Sequence, residues 1–500
     1  MGLLGVIMIS RNSLASFSTY TQIINDLGYF LSEYNLEIDS RRVNPDTIFC
    51  AYPGTVSDGR KYIESAVALG AKAIIYESGI MPLIPVKNIP VKNLIYYIGL
   101  LAAHKYDNPS KKFHTIGVTG TNGKTSVTYW LNQLYTKLEK KIAIIGTTGA
   151  GIYPDIISHT VTTPDPISLQ KLLYSFVAEK IDLLAMEVSS HALHQGRVNG
   201  TTFKTAIFTN LTQDHLDYHK TMEAYYLAKC DLFYWQGLEN AIVNIDDEYG
   251  KRLVMELTQH NSNIKILTYG INHGDLRAHG LVIKLSGMSF KISYKNEEYI
   301  ANVQVIGRFN VYNILAVVGS LIANGYSLAK IVPLLGELKP VCGRMDTIIQ
   351  ENCPLVVIDY AHTPDALLNT LATLRDIEYS KKLYCVFGCG GDRDWAKRPI
   401  MGGIATKMAD FTYITSDNPR NEEPEEIIRH IAVGAVNSNY EVIVSREEAI
   451  NRAIYNAKAN DIILIAGKGH ETYQDIKGEK IHFSDFEVAK NALDFKLSRG

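Results

Sequence analysis

The amino-acid sequence predicts an α/β protein built as three domains, with parallel sheets in its middle and last thirds. Three observations lead there. A chain of 500 residues is too long for one ordinary core and long enough for about three. Apolar strand-like runs ending in polar residues and glycines alternate with helical periodicity, the pattern of βα units on a parallel sheet. Two breaks divide the chain: the polar, Pro-containing stretch Asn108-Pro109-Ser110-Lys111-Lys112, and Leu338-Lys339-Pro340. The expected domains are therefore 1–110, 111–337 and 338–500.

Composition narrows the functional classes. Hydrophobic residues make up 46% of the chain and charged ones 20%, with a formal net charge of -2, so the balance is that of a soluble globular protein and nucleic acid is not the implied partner. The six cysteines form no CxxC or paired zinc spacing, and a chain of this size needs no disulfide staples, which fits a reducing cytoplasm. Met1 to Ser10 is apolar but lacks a basic leading region and a small-residue cleavage pattern, so a buried segment is expected there rather than a signal peptide. No apolar run reaches the roughly 20 residues needed to cross a bilayer, and no membrane insertion is expected.

Six strand candidates carry the chemistry at their ends. Thr115 to Val118 precedes TGTNGKTS, Leu183 to Met186 precedes Glu187-Val-Ser-Ser-His191, and Thr205 to Phe208 precedes the stretch holding Asp214-His215. In the last third, Val356 to Ile358 precedes Asp359-Tyr-Ala-His362, Tyr413 to Thr415 precedes Ser416-Asp-Asn-Pro-Arg420, and Ile462 to Ile465 precedes Gly467-Lys-Gly-His-Glu471. Open parallel sheets bind ligands beyond the carboxyl ends of their strands, so two such rims facing each other would make a cleft between domains.

The segment Thr119-Gly120-Thr121-Asn122-Gly123-Lys124-Thr125-Ser126 lies between a strand candidate and the helical pattern Val127, Trp130, Leu131, Leu134, Leu138. Glycines let backbone NH groups converge on phosphate oxygens, the helix offers its positive end, Lys124 supplies a charge and Thr125 suits magnesium. The spacing GxxGKT is shorter than the common GxxxxGK[ST], because Val118 stands at the first glycine's place. A glycine turn capping a helix is the competing reading, and the strand, loop and helix order favours a phosphate of ATP type.

Glu187 and His215 suit hard or borderline cations, although singly each is more often a structural hydrogen-bonder or, for His215, a helix cap. Lys229 sits in the apolar helical stretch Tyr225, Tyr226, Leu227, Leu232, Phe233, where an ordinary lysine reaches to solvent. On composition that ordinary reading leads.

Taken in order, TGTNGKTS, MEVSSHAL, DHLDYH, GRFNVYN, DYAHTPDAL, GCGGDRD, TSDNPR and GKGHETYQ resemble the Mur ligases, among them the UDP-N-acetylmuramoyl-tripeptide synthetases, from Asp39 to about Asp485. The resemblance implies an N-terminal UDP-binding domain, a central P-loop ATPase domain with a parallel sheet and a C-terminal Rossmann-like α/β domain. It implies an ATP-dependent, ADP-producing ligase that uses Mg2+, acts on UDP-MurNAc-L-Ala-D-Glu in peptidoglycan synthesis and works as a monomer. It also implies that Lys229 is carbamylated by CO2 and holds magnesium with Glu187 and His215. A desolvated, neutral lysine is the kind that adds CO2.

Further roles follow from the same resemblance. Asn310 and Asn313 match positions near adenine, where unaided sequence reading makes them helix caps, and Arg344 and Asp359 match ATP contacts from the last domain. Ser40, in Asp39-Ser-Arg-Arg42 with Asp58-Gly-Arg60 downstream, matches a uracil-nucleotide contact; two arginines beside it suit a diphosphate, against a plain surface turn. Thr162, Thr163, Ser189 and Arg197 match MurNAc-peptide contacts. The sequence departs from the family at Pro45-Asp46-Thr47, at Val161 and at Trp395-Ala396.

Asp417-Asn418-Pro419-Arg420 points to the amino acid added. Meso-diaminopimelate differs from lysine by a distal carboxylate, which Arg420 can hold bidentately with Arg393 as a second contact. Asp417, Asn418, Gly467 and Glu471 match positions around the distal ammonium and carboxylate. A loop before a helix that starts at Pro424 is the bland reading, and both can hold. The competing functions are a lysine-adding or folylpolyglutamate synthase-like ligase, and a non-catalytic nucleotide switch.

Overall fold

The computed structural model describes residues 16–54, 57–79, 83–157, 161–260, 263–284, 286–377 and 382–499. The expected buried segment Met1 to Ser10 lies outside the described residues. The first sheet contains β1 (Asn35–Glu37), β2 (Thr47–Ala51), β3 (Ala73–Glu77) and β4 (Lys87–Val91), in that order and all parallel. Its helix Ile98–Lys105 docks on the central part of the chain so closely that a Cβ at Gly99 would overlap the Asn199 carbonyl. Asn199 donates to the Tyr96 carbonyl at 3.0 Å across the same contact.

The central sheet takes β5 (His114–Thr119), β6 (Ile142–Gly146), β7 (Gly149–Ile152), β8 (Asp155–Ile157), β9 (Leu183–Glu187), β10 (Thr205–Phe208), β11 (Asn240–Asn244), β12 (Lys265–Gly270), β13 (Leu276–Lys284), β14 (Gly287–Tyr294) and β15 (Glu297–Val303). Their order is β15-β14-β13-β12-β11-β10-β5-β9-β6-β7-β8. The run from β12 to β6 is parallel, with antiparallel hairpins at both edges. Parallel strands need both faces covered. One face packs against helices Lys124–Lys137 and Arg308–Ala323, the second of which is apolar nearly all round and correspondingly buried. The other face packs Leu169, Leu173, Tyr225, Tyr226 and Leu253.

The last sheet holds β16 (Asp346–Ile348), β17 (Leu355–Asp359), β18 (Leu383–Phe387), β19 (Phe411–Ile414), β20 (Tyr440–Val442) and β21 (Ile462–Ala466), ordered β16-β17-β21-β18-β19-β20. Only β16 is antiparallel. A hairpin of β22 (Tyr473–Ile476) and β23 (Glu479–His482) forms a separate two-stranded sheet, bridged to the loop after β19 at Arg420 and Ile476. The α/β class and six strand-end clusters expected from sequence are present, with β19 starting two residues before the expected Tyr413. Thr415 has already left the strand: its hydroxyl donates to the Val444 carbonyl at 3.3 Å. Pro424 does open the helix Pro424–Ala432. Among the described residues, no helix is long and apolar enough to cross a membrane.

Candidate active site

The phosphate loop leaves β5 and enters helix Lys124–Lys137 through Gly123, whose φ of 88° belongs to the left-handed region. A Cβ there would also overlap the Asn313 amide oxygen. Gly123→Ala therefore forces a backbone strain of about 1–2 kcal/mol and a collision at once. It is expected to raise KM for ATP more than about tenfold, by the factor that 1.4 kcal/mol represents. An unchanged ATP KM would show that the loop does not need this conformation.

Two lysines meet on one carbonyl inside the loop. Lys124 Nζ donates to the Gly120 and Thr121 carbonyls at 2.8 and 2.9 Å, and Lys229 Nζ donates to the same Gly120 carbonyl at 2.7 Å. Lys229 is 1% exposed, with its ammonium 4.6 Å from the centre of the Tyr225 ring. The solvent-reaching lysine that composition favoured is thus overturned: helix Met222–Cys230 turns this side chain inward, beneath the loop. Burial first, and the like charge of Lys124 second, push the Lys229 ammonium well below the ordinary lysine range.

Glu187 ends β9 fully buried, its carboxylate accepting from Thr147 N at 2.8 Å and Thr147 Oγ1 at 3.1 Å. His215 occupies the position before helix Leu216–His219, as expected of a cap, yet its side chain does not cap and its φ is 55°. Burial, with His191, Lys229 and Lys124 nearby and against the pull of Asp214, lowers the imidazole to about 3, so it is neutral with a lone pair to offer. A carboxylate, a neutral imidazole and the Thr125 hydroxyl facing one cavity are a donor set that fits a divalent cation.

That cavity, about 250 Å³, runs between the central and last sheets. From the central side it is lined by Thr121, Asn122, Gly123, Lys124, Thr125, Thr162, Glu187 and His215, and from the last third by Arg344, Arg393, Asp417, Asn418, Arg420, Gly467 and Glu471. A second cavity of about 350 Å³ adjoins it and shares Asn122, Gly123, Thr125, Arg344 and Tyr360. It adds Ser126, Asn313, Asp359, Arg308, Tyr312 and Asp246. Arg344 lies over the Tyr360 ring at 4.2 Å and donates to Thr125 Oγ1 at 3.3 Å, joining the two sides. Asp359 accepts from the backbone of Met345 and Ala361 at 2.8 and 2.9 Å.

Other expected residues fall into supporting positions. Asn310 and Asn313 lie within helix Arg308–Ala323 and not at its cap, which is Gly307; Asn313 Nδ2 donates to Asn310 Oδ1 at 3.0 Å. Thr163 donates to the Glu187 carbonyl at 2.9 Å, Ser189 accepts from Ala192 N, and Arg197 donates to the Thr163 carbonyl at 3.2 Å, so these three gather behind Glu187. Ser40 starts a short 3-10 turn, Ser40–Arg42, on the first domain, outside the residues lining either cavity. The two arginines expected to suit a diphosphate lie at the surface, Arg41 paired with Asp39 at 2.7 Å and Arg42 with Glu37 at 2.8 Å.

In the last third, Asn418 Nδ2 donates to Glu471 Oε2 at 2.9 Å, and a Cβ at Gly467 would crowd the Asp417 carboxylate. Burial would raise the Asp417 carboxyl, but Lys468 and Arg446 hold it below the usual range. Arg420, at φ 51°, aims its guanidinium at the Gly391 carbonyl, 2.7 Å away. Pro419 completes the turn, its carbonyl accepting from Glu422 N at 3.0 Å.

Sequence reading missed several charged groups. Lys468 is fully buried, donating to Asn418 Oδ1 at 3.0 Å with Glu471 at 3.3 Å. Asp214, next to His215, meets Lys397 at 3.4 Å and His362 at 3.7 Å from the other side of the cavity. Burial would raise its carboxyl, but the Lys397 ammonium, with a hydrogen bond from His362, keeps it well below the carboxylate range. Asn122 reaches Asp365 at 3.1 Å across the same divide. Each stands in or beside a strand-end cluster, and that position was the available signal.

Comparison with known proteins bears on this arrangement. Residues 34–106, 118–321 and 343–469 match the families described as Mur ligase family, catalytic domain, as Mur ligase middle domain, and as Mur ligase, glutamate ligase domain. The chain is 47% identical over 464 residues to the UDP-N-acetylmuramoyl-L-alanyl-D-glutamate--2,6-diaminopimelate ligase of Neisseria meningitidis serogroup B, covering 92% of this chain and 94% of that one. The enzyme of that name from Pseudomonas putida is 43% identical over 468 residues, with the same shares covered. A solved structure of a ligase of that name aligns with a TM-score of 0.67 at 35% identity, covering 93% and 95% of the two chains. MurF ligase from Thermotoga maritima in complex with ADP aligns with a TM-score of 0.65, covering 94% and 99%; at 18% identity it is alike in fold alone.

Proposed function

The chain belongs to the Mur ligase family, and from that premise we propose that it joins meso-2,6-diaminopimelate to UDP-MurNAc-L-Ala-D-Glu, with ATP as the energy source, in peptidoglycan synthesis. The observation that carries the reading is the shared cavity, in which the phosphate loop, Glu187 and His215 face Arg393, Asp417, Asn418, Arg420 and Glu471. The cytoplasm as location, a monomeric state and domains at 1–110, 111–337 and 338–500 are part of the same proposal.

The chemistry follows from the reactants. A carboxylate is a poor acyl donor, because an oxide anion leaves badly. An oxygen of the terminal D-glutamate carboxylate attacks the γ-phosphorus of ATP, the bond to the β-phosphate oxygen breaks, and ADP departs. The amine of the incoming amino acid then adds to the acyl phosphate carbon and loses a proton, and phosphate leaves with its bonding electrons. The protein contributes position and charge. Lys124 and the loop NH groups hold the phosphates; Asn313, Asp359 and Arg344 border the nucleotide cavity. Thr162, Thr163, Ser189 and Arg197 stand for the MurNAc-peptide and Ser40 for the uracil nucleotide. Magnesium, held by Thr125, Glu187, His215 and carbamylated Lys229, would supply positive charge against the phosphate oxygens.

Turnover of UDP-MurNAc-L-Ala-D-Glu with a panel of diamino acids, read by phosphate release and product mass, tests this. Diaminopimelate is expected to exceed lysine by about 10⁴-fold, since a site built around a charged partner rejects the analogue lacking it. Lysine as the better acceptor would overturn the assignment. Nucleotide binding without amide product from any amine would favour a switch.

A further inference from the structure

The loops leaving β18, β19 and β21 converge although β18 separates the other two strands in the sheet. A Cβ at Gly388, just after β18, would overlap the Thr415 carbonyl, and one at Gly467 would stand 2.5 Å from Asp417 Oδ2. Beneath this convergence lies the side chain of Arg446, the first residue of helix Arg446–Asn456, with no solvent exposure. Its Nε and Nη2 hold the two carboxylate oxygens of Asp485 at 2.7 and 2.8 Å. Nη2 also donates to the Ala466 carbonyl at 2.9 Å and Nη1 to the Ser416 carbonyl at 3.4 Å. Those carbonyls immediately precede Gly467 and Asp417. Asp485, equally buried, opens the C-terminal helix Asp485–Arg499.

A buried ion pair is a weak source of stability, since well-packed apolar residues of similar volume often do as well or better. What the planar guanidinium supplies here is geometry: one rigid fork fixes two strand ends and a helix start at defined separations. We infer that Arg446, fixed by Asp485, is a positioning residue for the acceptor amino acid, setting Asp417 against Gly467 without touching substrate. The inference rests on the reading of this cavity as the diamino-acid site.

The test uses the full chain with Arg446→Lys, which keeps the charge but loses the fork, and Asp485→Asn, which keeps the shape but loses the charge. Steady-state kinetics vary diaminopimelate, ATP and the nucleotide dipeptide separately. Both variants are expected to raise KM for diaminopimelate about tenfold or more, the order of loss that a displaced positioning group produces. KM for the other two substrates is expected to stay at the wild-type value. A merely structural role would lower the melting temperature and the active fraction, and so kcat, while leaving every KM unchanged; that result overturns the inference. Should Arg446→Lys not fold, Asp485→Asn carries the measurement, and if neither folds the pair serves the fold and the inference falls. If wild-type enzyme prefers another amino acid, the substrate assignment fails but the clamp is judged on that acceptor's KM. If wild type joins none, both fail.

Discussion

Lys229→Ala is expected to lower the rate of amide formation by about 10²–10³-fold, the size of effect seen when one charge-stabilising group is removed from a transition state. The fold is expected to survive. Lys229 is fully buried, and a buried amine costs desolvation in the folded state, so its removal does not by itself unfold the protein. Nor is the phosphate loop left unsupported, because Lys124 also donates to the Gly120 carbonyl that Lys229 holds. Loss of activity without loss of stability therefore reports on chemistry at the Lys229 nitrogen. Burial favours the free amine, the form that adds CO2 and loses a proton to become a carbamate anion. Acetate or formate, small enough to enter the space that alanine leaves and carrying the same charge as a carbamate, is expected to restore part of the rate. A fully active Lys229→Ala enzyme would remove this lysine from the mechanism.

What sequence could and could not tell follows from the range of the interactions involved. A parallel strand buried on both faces must be apolar, and its carboxyl end must turn, so β5, β9, β10, β17 and β21 announced themselves together with the polar clusters at their ends. Helix starts were equally local: Pro424 at a first turn and Gly123 before Lys124 act through their own backbone. The fate of Lys229 was not local. Helical periodicity puts it on a turn, but whether its amine finds water depends on Tyr225 and on a loop carbonyl 109 residues away. The same distance problem hid Asp214, whose charge partners His362 and Lys397 come from the other sheet, and Arg446, whose meaning appears only once Asp485 is beside it. Arg41 and Arg42 illustrate the same limit at short range: two arginines next to a serine suggest an anion, and the ion pairs they make with acidic neighbours two and five residues away are exposed surface pairs of little energy, which leave that reading open.

Arg420→Ala is expected to raise KM for diaminopimelate about 10- to 100-fold, the worth of one or two charge-assisted hydrogen bonds, with little change in KM for ATP. Among the described residues, the hydrogen-bond partner of this guanidinium is the neutral Gly391 carbonyl, so a substrate carboxylate arriving in the cavity meets a positive charge still open to pairing. The backbone at this position is strained, with φ 51°, but alanine shares the strain with arginine, and the flanking bonds from Arg420 N to the Asp475 carbonyl and from Lys477 N to the Arg420 carbonyl involve no side chain. The substitution thus removes the charge and leaves the loop. Lysine as acceptor, lacking the distal carboxylate, is expected to be indifferent to it, which separates loss of recognition from damage to the site. Arg420→Lys is expected to recover only part of the affinity, since an ammonium cannot offer the paired N–H groups of a guanidinium. If diaminopimelate binds the alanine variant as well as wild type, Arg393, which lines the same cavity, becomes the residue that reads the distal carboxylate.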